Sequence, residues 1–257
     1  MRLNKYISHN TKYSRRDADT LIENGEVKVN GKIINTHGYI VEKGDKVYVK
    51  RRAVKRNGDL TMVVYNKPKG VLVTKRDDRG RATIYHKLSG KFRHFIPVGR
   101  LDYASEGLLL LTNQPKVADV LMSSNLDRVY NIKIDKPFSK DMEKAMQEGL
   151  VIKNSIKGAH EKSKIDTIEF KPFVSYKLRG DSGKYTKLQV TISEGKNREL
   201  RRFFAHFGAK VLDLKRVGFG GIFLNNLPTN KTRYFTRREY DDLKLFLKDT
   251  KREDTTL

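Results

Sequence analysis

The stretch Gly99-Arg100-Leu101-Asp102-Tyr103-Ala104-Ser105-Glu106-Gly107-Leu108-Leu109-Leu110-Leu111-Thr112-Asn113 sets one carboxylate in a glycine-bounded loop ahead of an apolar run. The run reads as a buried strand, so Asp102 stands at its rim, where a rigid scaffold presents side chains to a cleft. A turn aspartate bonding its own backbone fits the same residues.

Working outward, strand-like runs recur at Thr61-Met62-Val63-Val64-Tyr65, Gly107 to Thr112, Val129 to Ile134, Ile165 to Phe170, Tyr185 to Ile192 and Lys210 to Val217. Helical patterns lie between them at about 115 to 123, 139 to 148, 197 to 206 and 237 to 247. The irregular interleaving predicts an α+β fold with a largely antiparallel or mixed sheet, not a regular βαβ wind.

Residues 1–48 read as a small separate unit. Ser14-Arg15-Arg16-Asp17 has the spacing of a helix-starting cap, Ala18, Leu21 and Ile22 supply an apolar stripe, and Gly25 is placed to end the helix. Val27-Lys28-Val29 and Lys32-Ile33-Ile34 flank Asn30-Gly31, a strong hairpin signal. Residues 49–60 are basic and without periodicity, which predicts a linker; residues 61–250 then form the larger domain and 251–257 a tail.

The 257-residue chain carries 54 Lys and Arg against 30 Asp and Glu, a formal charge of +24 that suits a polyanionic partner, nucleic acid above all. Lys50-Arg51-Arg52-Ala53-Val54-Lys55-Arg56 concentrates this charge and makes Arg51 and Arg52 candidate RNA contacts. Without cysteine, neither a disulfide framework nor a thiolate metal site is available. The histidines are scattered without ligand spacing, and no nucleotide-cofactor glycine motif occurs, so neither a metal nor a cofactor is expected. The first residues lack the apolar core of a signal peptide and no apolar run approaches the roughly 20 residues that span a bilayer. A soluble cytoplasmic protein without membrane contact is expected, as a monomer.

A second informative stretch is Glu194-Gly195-Lys196-Asn197-Arg198-Glu199-Leu200-Arg201-Arg202-Phe203-Phe204. Leu200, Phe203, Phe204 and Phe207 recur at helical spacing with Gly208 as the stop, while Arg198, Arg201 and Arg202 share another face. An amphipathic helix with solvated arginines accounts for this spacing as well.

The strings Gly99-Arg100-Leu101-Asp102 to the leucine run, Arg128-Val129-Tyr130-Asn131-Ile132 and Gly195 to Arg202 together resemble, in order, the motifs of ribosomal RNA pseudouridine synthases of the RsuA/RluB family. That resemblance implies that Asp102 is the nucleophile, that Arg201 pairs with it, and that Tyr130 stacks on the target uracil and helps move its proton. It also implies that Leu200 packs against the bound base and that Arg100 fills the space of an extruded nucleotide or contacts phosphate. Asn66-Lys67-Pro68-Lys69-Gly70 is similar to the family's first motif, which places Lys67 at the substrate beside Arg198; a plain hairpin connection fits these residues too. Taken alone, Tyr130 reads first as a core tyrosine with a satisfied hydroxyl. Arg128 and Ile132 stand where the family has lysine and valine, and Gln114-Pro115 replaces a common Asp-Gly, with Pro115 suited to opening a helix.

The first unit is similar to the alpha-L RNA-binding module of a small-subunit ribosomal protein, which implies Lys5, Lys12, Arg15, Arg16 and Lys28 as phosphate contacts. The reading that follows is site-specific isomerisation of a uridine in ribosomal RNA, that of the large subunit, on free RNA or a ribosomal subunit precursor. A non-catalytic RNA-binding or ribosome-assembly protein is the alternative.

Overall fold

The structure, a computed structural model, describes residues 1–54, 58–153 and 167–253. Lys55 and Arg56 of the basic cluster, the start of the Ile165 run, His160 and the end of the tail lie outside the described residues.

The first unit packs two helices on a small sheet. Helix α1 (Leu3–Asn10) and helix α2 (Arg15–Glu23) bury Leu3, Tyr6, Ile7, Ala18, Leu21 and Ile22 against Val27, Val29, Val47 and Val49. As its sequence suggests, α2 begins with a capping box: the Ser14 side chain accepts from Asp17 N, and the Asp17 carboxylate accepts from Ser14 N. Strands β1 (Val27–Val29) and β2 (Lys32–Ile33) form the expected hairpin, with Asn30 and Gly31 both at positive φ in the turn. Strand β3 (Val47–Val49) pairs with β1, and β4 (Arg52–Ala53) pairs with β3. The linker reading of 49–60 is therefore corrected: Val49 to Ala53 continue the module's own sheet, because the left-handed pair Lys50 and Arg51 turns the chain back on itself.

The larger unit is built on one mixed sheet. Its elements are β5 (Met62–Lys67), α3 (Ile84–Lys87), β6 (Ile96–Pro97), β7 (Glu106–Thr112), α4 (Pro115–Ser123), β8 (Arg128–Ile134), α5 (Lys140–Glu148), β9 (Leu150–Ile152) and β10 (Ile168–Phe170). There follow β11 (Ser175–Asp181), β12 (Thr186–Ile192), α6 (Glu199–His206), β13 (Val211–Phe219), β14 (Ile222–Phe223), β15 (Thr232–Tyr234) and α7 (Arg237–Glu253). The main order is β11-β12-β8-β13-β7-β5-β15, antiparallel except where β13 runs parallel to β7. Thus the α+β expectation describes the fold. No helix among the described residues is long and apolar enough to cross a membrane.

The leucine run is a strand covered on both faces. Leu109 and Leu111 join Val63, Tyr65, Ile132 and α6 on one side, while Leu108 and Leu110 join Met62, Val64, α4 and α7 on the other. Asn113 then stitches the strand end to the domain entrance, accepting from Thr61 N at 2.8 Å and donating to Asp59 O at 2.8 Å.

Gly107, first of these central positions, has a φ of 103° and lies so close to β13 that a Cβ would stand 2.1 Å from Arg216 O. No side chain fits without parting the parallel pair. Gly107→Ala is expected to lower the unfolding free energy by about 3 kcal/mol or more, read from urea denaturation.

Candidate active site

Asp102 sits in the connection from β6 to β7, and the backbone of that connection is held from beneath. Lys67, the last residue of β5, is fully buried, and its Nζ donates to three carbonyls: Pro68 O at 3.0 Å, Asp102 O at 3.2 Å and Ser105 O at 2.8 Å. Burial lowers its pKa to about 8, opposed by Asp102 and Glu106. Ser105 N closes the turn on Asp102 O at 3.0 Å, and Gly70 N donates to Tyr103 O at 2.8 Å.

From the other side comes α6. Its first turn presents Arg201, whose Nη1 donates to Val211 O at 3.1 Å and whose Nη2 donates to Ala104 O at 3.3 Å and to Ser105 Oγ at 3.2 Å. This leaves Arg201 Nε facing Asp102 Oδ2 at 3.8 Å, an ion pair longer than a hydrogen bond. Nε itself is buried without a hydrogen-bond partner. The Asp102 carboxylate remains 33 % exposed while Arg201 is 11 % exposed, so the acid can reach a ligand and the guanidinium is a fixed support. Burial pulls the Arg201 pKa down and Asp102 raises it, as expected for a cation desolvated beside its counter-ion.

Residues 61–206 match the RNA pseudouridylate synthase family, and residues 1–47 match the S4 domain. The chain belongs to the RNA pseudouridine synthase family. A protein named an uncharacterized RNA pseudouridine synthase, from Helicobacter pylori (strain J99), is 47 % identical over 96 % of this chain and 95 % of its own. Ribosomal large subunit pseudouridine synthase B of Bacillus subtilis (strain 168) is 34 % identical, over 95 % of each chain. Among solved structures, one described as a pseudouridylate synthase matches with a TM-score of 0.62 at 26 % identity, covering 95 % of this chain and 99 % of that one.

In this pseudouridine synthase, the register of the sheet brings the remaining motif residues to the same place. Tyr130 on β8, Arg216 on β13, Gly107 on β7 and Lys67 on β5 stand abreast. Tyr130 is 8 % exposed and shares its apolar cluster with Leu101, Leu109 and Leu214, on the face that α6 covers. Arg128, two residues earlier, is buried and donates through Nη1 to Leu126 O at 2.7 Å and Ser193 O at 3.0 Å. It ties the ends of β8 and β12 together.

Two expectations are corrected by burial. Lys67 has no surface with which to meet a substrate; its ammonium is spent on the loop that carries Asp102. Leu200 is 3 % exposed within the core cluster, so it anchors α6 and offers a base almost nothing. Lys67→Met removes a charge-assisted donor from three carbonyls and should cost about 2–4 kcal/mol of stability. Because the Asp102 loop loosens, kcat should fall while RNA affinity is kept, which steady-state rates and filter binding separate.

Arg100 is exposed beside Leu101, and Arg198 is half-buried at the start of α6 with a left-handed φ of 50°. Arg198 and Arg201 line an open cleft of about 410 Å³ with Gly208, Lys210 and Val211. Of the expected RNA contacts, Lys12, Arg15, Arg16, Lys28, Arg51 and Arg52 are exposed and Lys5 is half-buried. They do not form one face. Val27 and Val29 pack on the helices, so Lys28 points from the opposite side of the sheet to α1 and α2, which carry Lys5, Arg15 and Arg16.

Ser105 and Glu199 are site residues that the motif spacing did not single out for a role. Ser105 is buried and receives Arg201. Glu199, also buried, accepts from Lys196 N at 2.9 Å through Oε2; burial pushes it up to about 7, and the nearby Glu194 adds to the shift. This contact fixes the entry to α6, and with it the angle at which Arg201 leaves the helix.

Proposed function

We propose that this enzyme converts a uridine of ribosomal RNA, in the large subunit, to pseudouridine, with Asp102 as the nucleophile, acting as a cytoplasmic monomer. The observation that carries the reading is the Asp102–Arg201 pair, a solvent-reachable carboxylate held against a buried guanidinium at 3.8 Å in a loop braced by Lys67. RNA affinity alone needs no acid in so basic a molecule. The resemblance to a relative named for the large ribosomal subunit favours that RNA as substrate.

The isomerisation breaks the bond from C1′ to N1, turns the base, and joins C1′ to C5; C5 gives up a proton and N1 gains one. No net oxidation occurs. The Asp102 carboxylate attacks either C1′ or the pyrimidine ring, and both routes require an ionised acid and a nucleotide taken out of its stack. Eversion costs a few kcal/mol, about what one stacking contact and several phosphate contacts return. Tyr130, in the apolar cluster that also holds Leu101, is the stacking and proton-moving group in this reading, and Arg100 and Arg198 meet the flanking backbone.

Transcripts of the two ribosomal RNAs labelled with [5-³H]uridine test the proposal, because each pseudouridine formed releases one tritium. Release from the large-subunit transcript is expected. Release from the small-subunit transcript alone would move the substrate, and release from neither would overturn the ribosomal reading.

A further inference from the structure

The loop between β5 and α3 does something that the catalytic motifs do not call for: it reaches across to the S4 module. Lys75, in this loop, inserts its ammonium at the end of α1, where it donates to Ser8 O, to Thr11 O at 2.9 Å and to Tyr13 O at 3.4 Å. The last carbonyls of a helix lack partners within it and carry its negative dipole end, so a cation from another domain satisfies both needs at once. Next to it, Arg76 Nη1 bonds Asp17 Oδ1 at 3.1 Å, and Asp17 is the residue whose carboxylate caps α2. Arg16 of α2 faces Asp78 of the loop at 3.8 Å. The loop grips the end of one module helix and the start of the next.

It is also stiff. Asp77 receives Arg81 N at 2.8 Å and Arg81 Nη2 at 2.7 Å, and the Thr74 hydroxyl donates to Arg76 O at 2.8 Å. The near end of the loop meets the catalytic loop, since Gly70 N donates to Tyr103 O at 2.8 Å and Tyr103 follows Asp102. A short hydrogen-bonded arm thus joins the turn between α1 and α2, which carries Lys12, and the start of α2, which carries Arg15, to the residue beside the nucleophile.

We infer that residues 74–81 are a latch, with Lys75 as its positioning residue, that fixes the S4 module at a set distance from Asp102 and so decides which uridine of a bound RNA reaches the acid. The functional half of this inference rests on the RNA-modifying role proposed above; the structural half does not. Lys75 touches neither substrate nor reacting atoms and acts through the module that it holds.

The chain has no cysteine, so a label pair is introduced cleanly. Full-length protein carrying Lys43→Cys on the module and Lys248→Cys on α7, both at exposed positions, is spin-labelled and the distance distribution measured. A single narrow distribution is expected. In Lys75→Met it should broaden, as the docking equilibrium falls by about tenfold or more with the loss of charged hydrogen bonds. Lys75→Arg should restore most of the narrow population. On ribosomal RNA transcripts, Lys75→Met should raise KM about tenfold with kcat unchanged. If Lys75→Met does not fold, Arg76→Ala, at an exposed ion pair, should broaden the distribution in part.

An unchanged distribution in whichever of these variants folds overturns the latch. Broadening without any change in KM overturns its role in substrate placement. Should the wild-type enzyme modify no ribosomal RNA, the distance measurement still decides the latch on its own.

Discussion

Asp102→Asn abolishes pseudouridine formation and leaves RNA binding intact: that is the expected result for the purified variant. Asparagine keeps the shape and volume of the side chain, and the loop is held by backbone carbonyls and by Lys67, so the fold has no reason to move. What disappears is the negative charge and with it the nucleophile. Loss of a nucleophile that reacts covalently costs on the order of 10⁴-fold or more in kcat. Affinity for RNA should hold or rise slightly, because one negative charge leaves a surface that faces phosphates. The cost in stability should be about 1–3 kcal/mol, since Arg201 keeps its buried position and loses its counter-ion. A variant that releases tritium at the wild-type rate would remove Asp102 from the chemistry.

Arg201→Met has the next largest effect, on the order of 10²–10³-fold in kcat. The substitution keeps an unbranched apolar stem within α6 but removes the charge beside Asp102 and the donors to Val211 O, Ala104 O and Ser105 Oγ. Two consequences combine: the acid loses the positive charge that faces it at 3.8 Å, and the loop from Asp102 to Ser105 loses one of its two anchors. Arg201→Lys tests which matters. A lysine ammonium carries the charge but cannot span three acceptors in the fork that a guanidinium provides. Its kcat should therefore stay well below wild type. Full recovery in Arg201→Lys would assign the whole effect to charge and remove the anchoring role.

The elements most easily read from the sequence were those with punctuation. Pro115 does open α4, Asn30-Gly31 does turn the hairpin, Ser14 and Asp17 do cap α2, and Gly208, at a φ of 69°, ends the turn after α6. Each is a local rule that tertiary packing has no cause to override. Strand β11 is hard to read from sequence because it is exposed over nearly its whole length and carries only Tyr176 and Leu178 as apolar residues. Helix α1 begins without a side-chain cap, and α7 runs on to Glu253 through residues with little apolar periodicity.

The same distinction holds at the site. Asp102 and Arg201 lie 99 positions apart in the chain, and no spacing rule joins them; the family resemblance did, and the packing of α6 brings them to 3.8 Å. Lys67 misleads a reading of the sequence for a physical reason. A lysine in a Lys-Pro-Lys-Gly string looks like a surface cation, and two of the three carbonyls that offset its burial come from Asp102 and Ser105, distant in sequence. Ser105 and Glu199 look like ordinary polar residues until α6 is placed, after which one receives the guanidinium and the other fixes the start of its helix.

The most direct test of Asp102 acting on a ribosomal uridine is a pseudouridine map of ribosomal RNA from three strains: wild type, a deletion, and one carrying only the Asp102→Asn allele at wild-type protein level. The account predicts that one large-subunit position loses its pseudouridine in the deletion and stays unmodified, to the same extent, in the Asp102→Asn strain. A map in which the Asp102→Asn strain matches wild type at every position would contradict it.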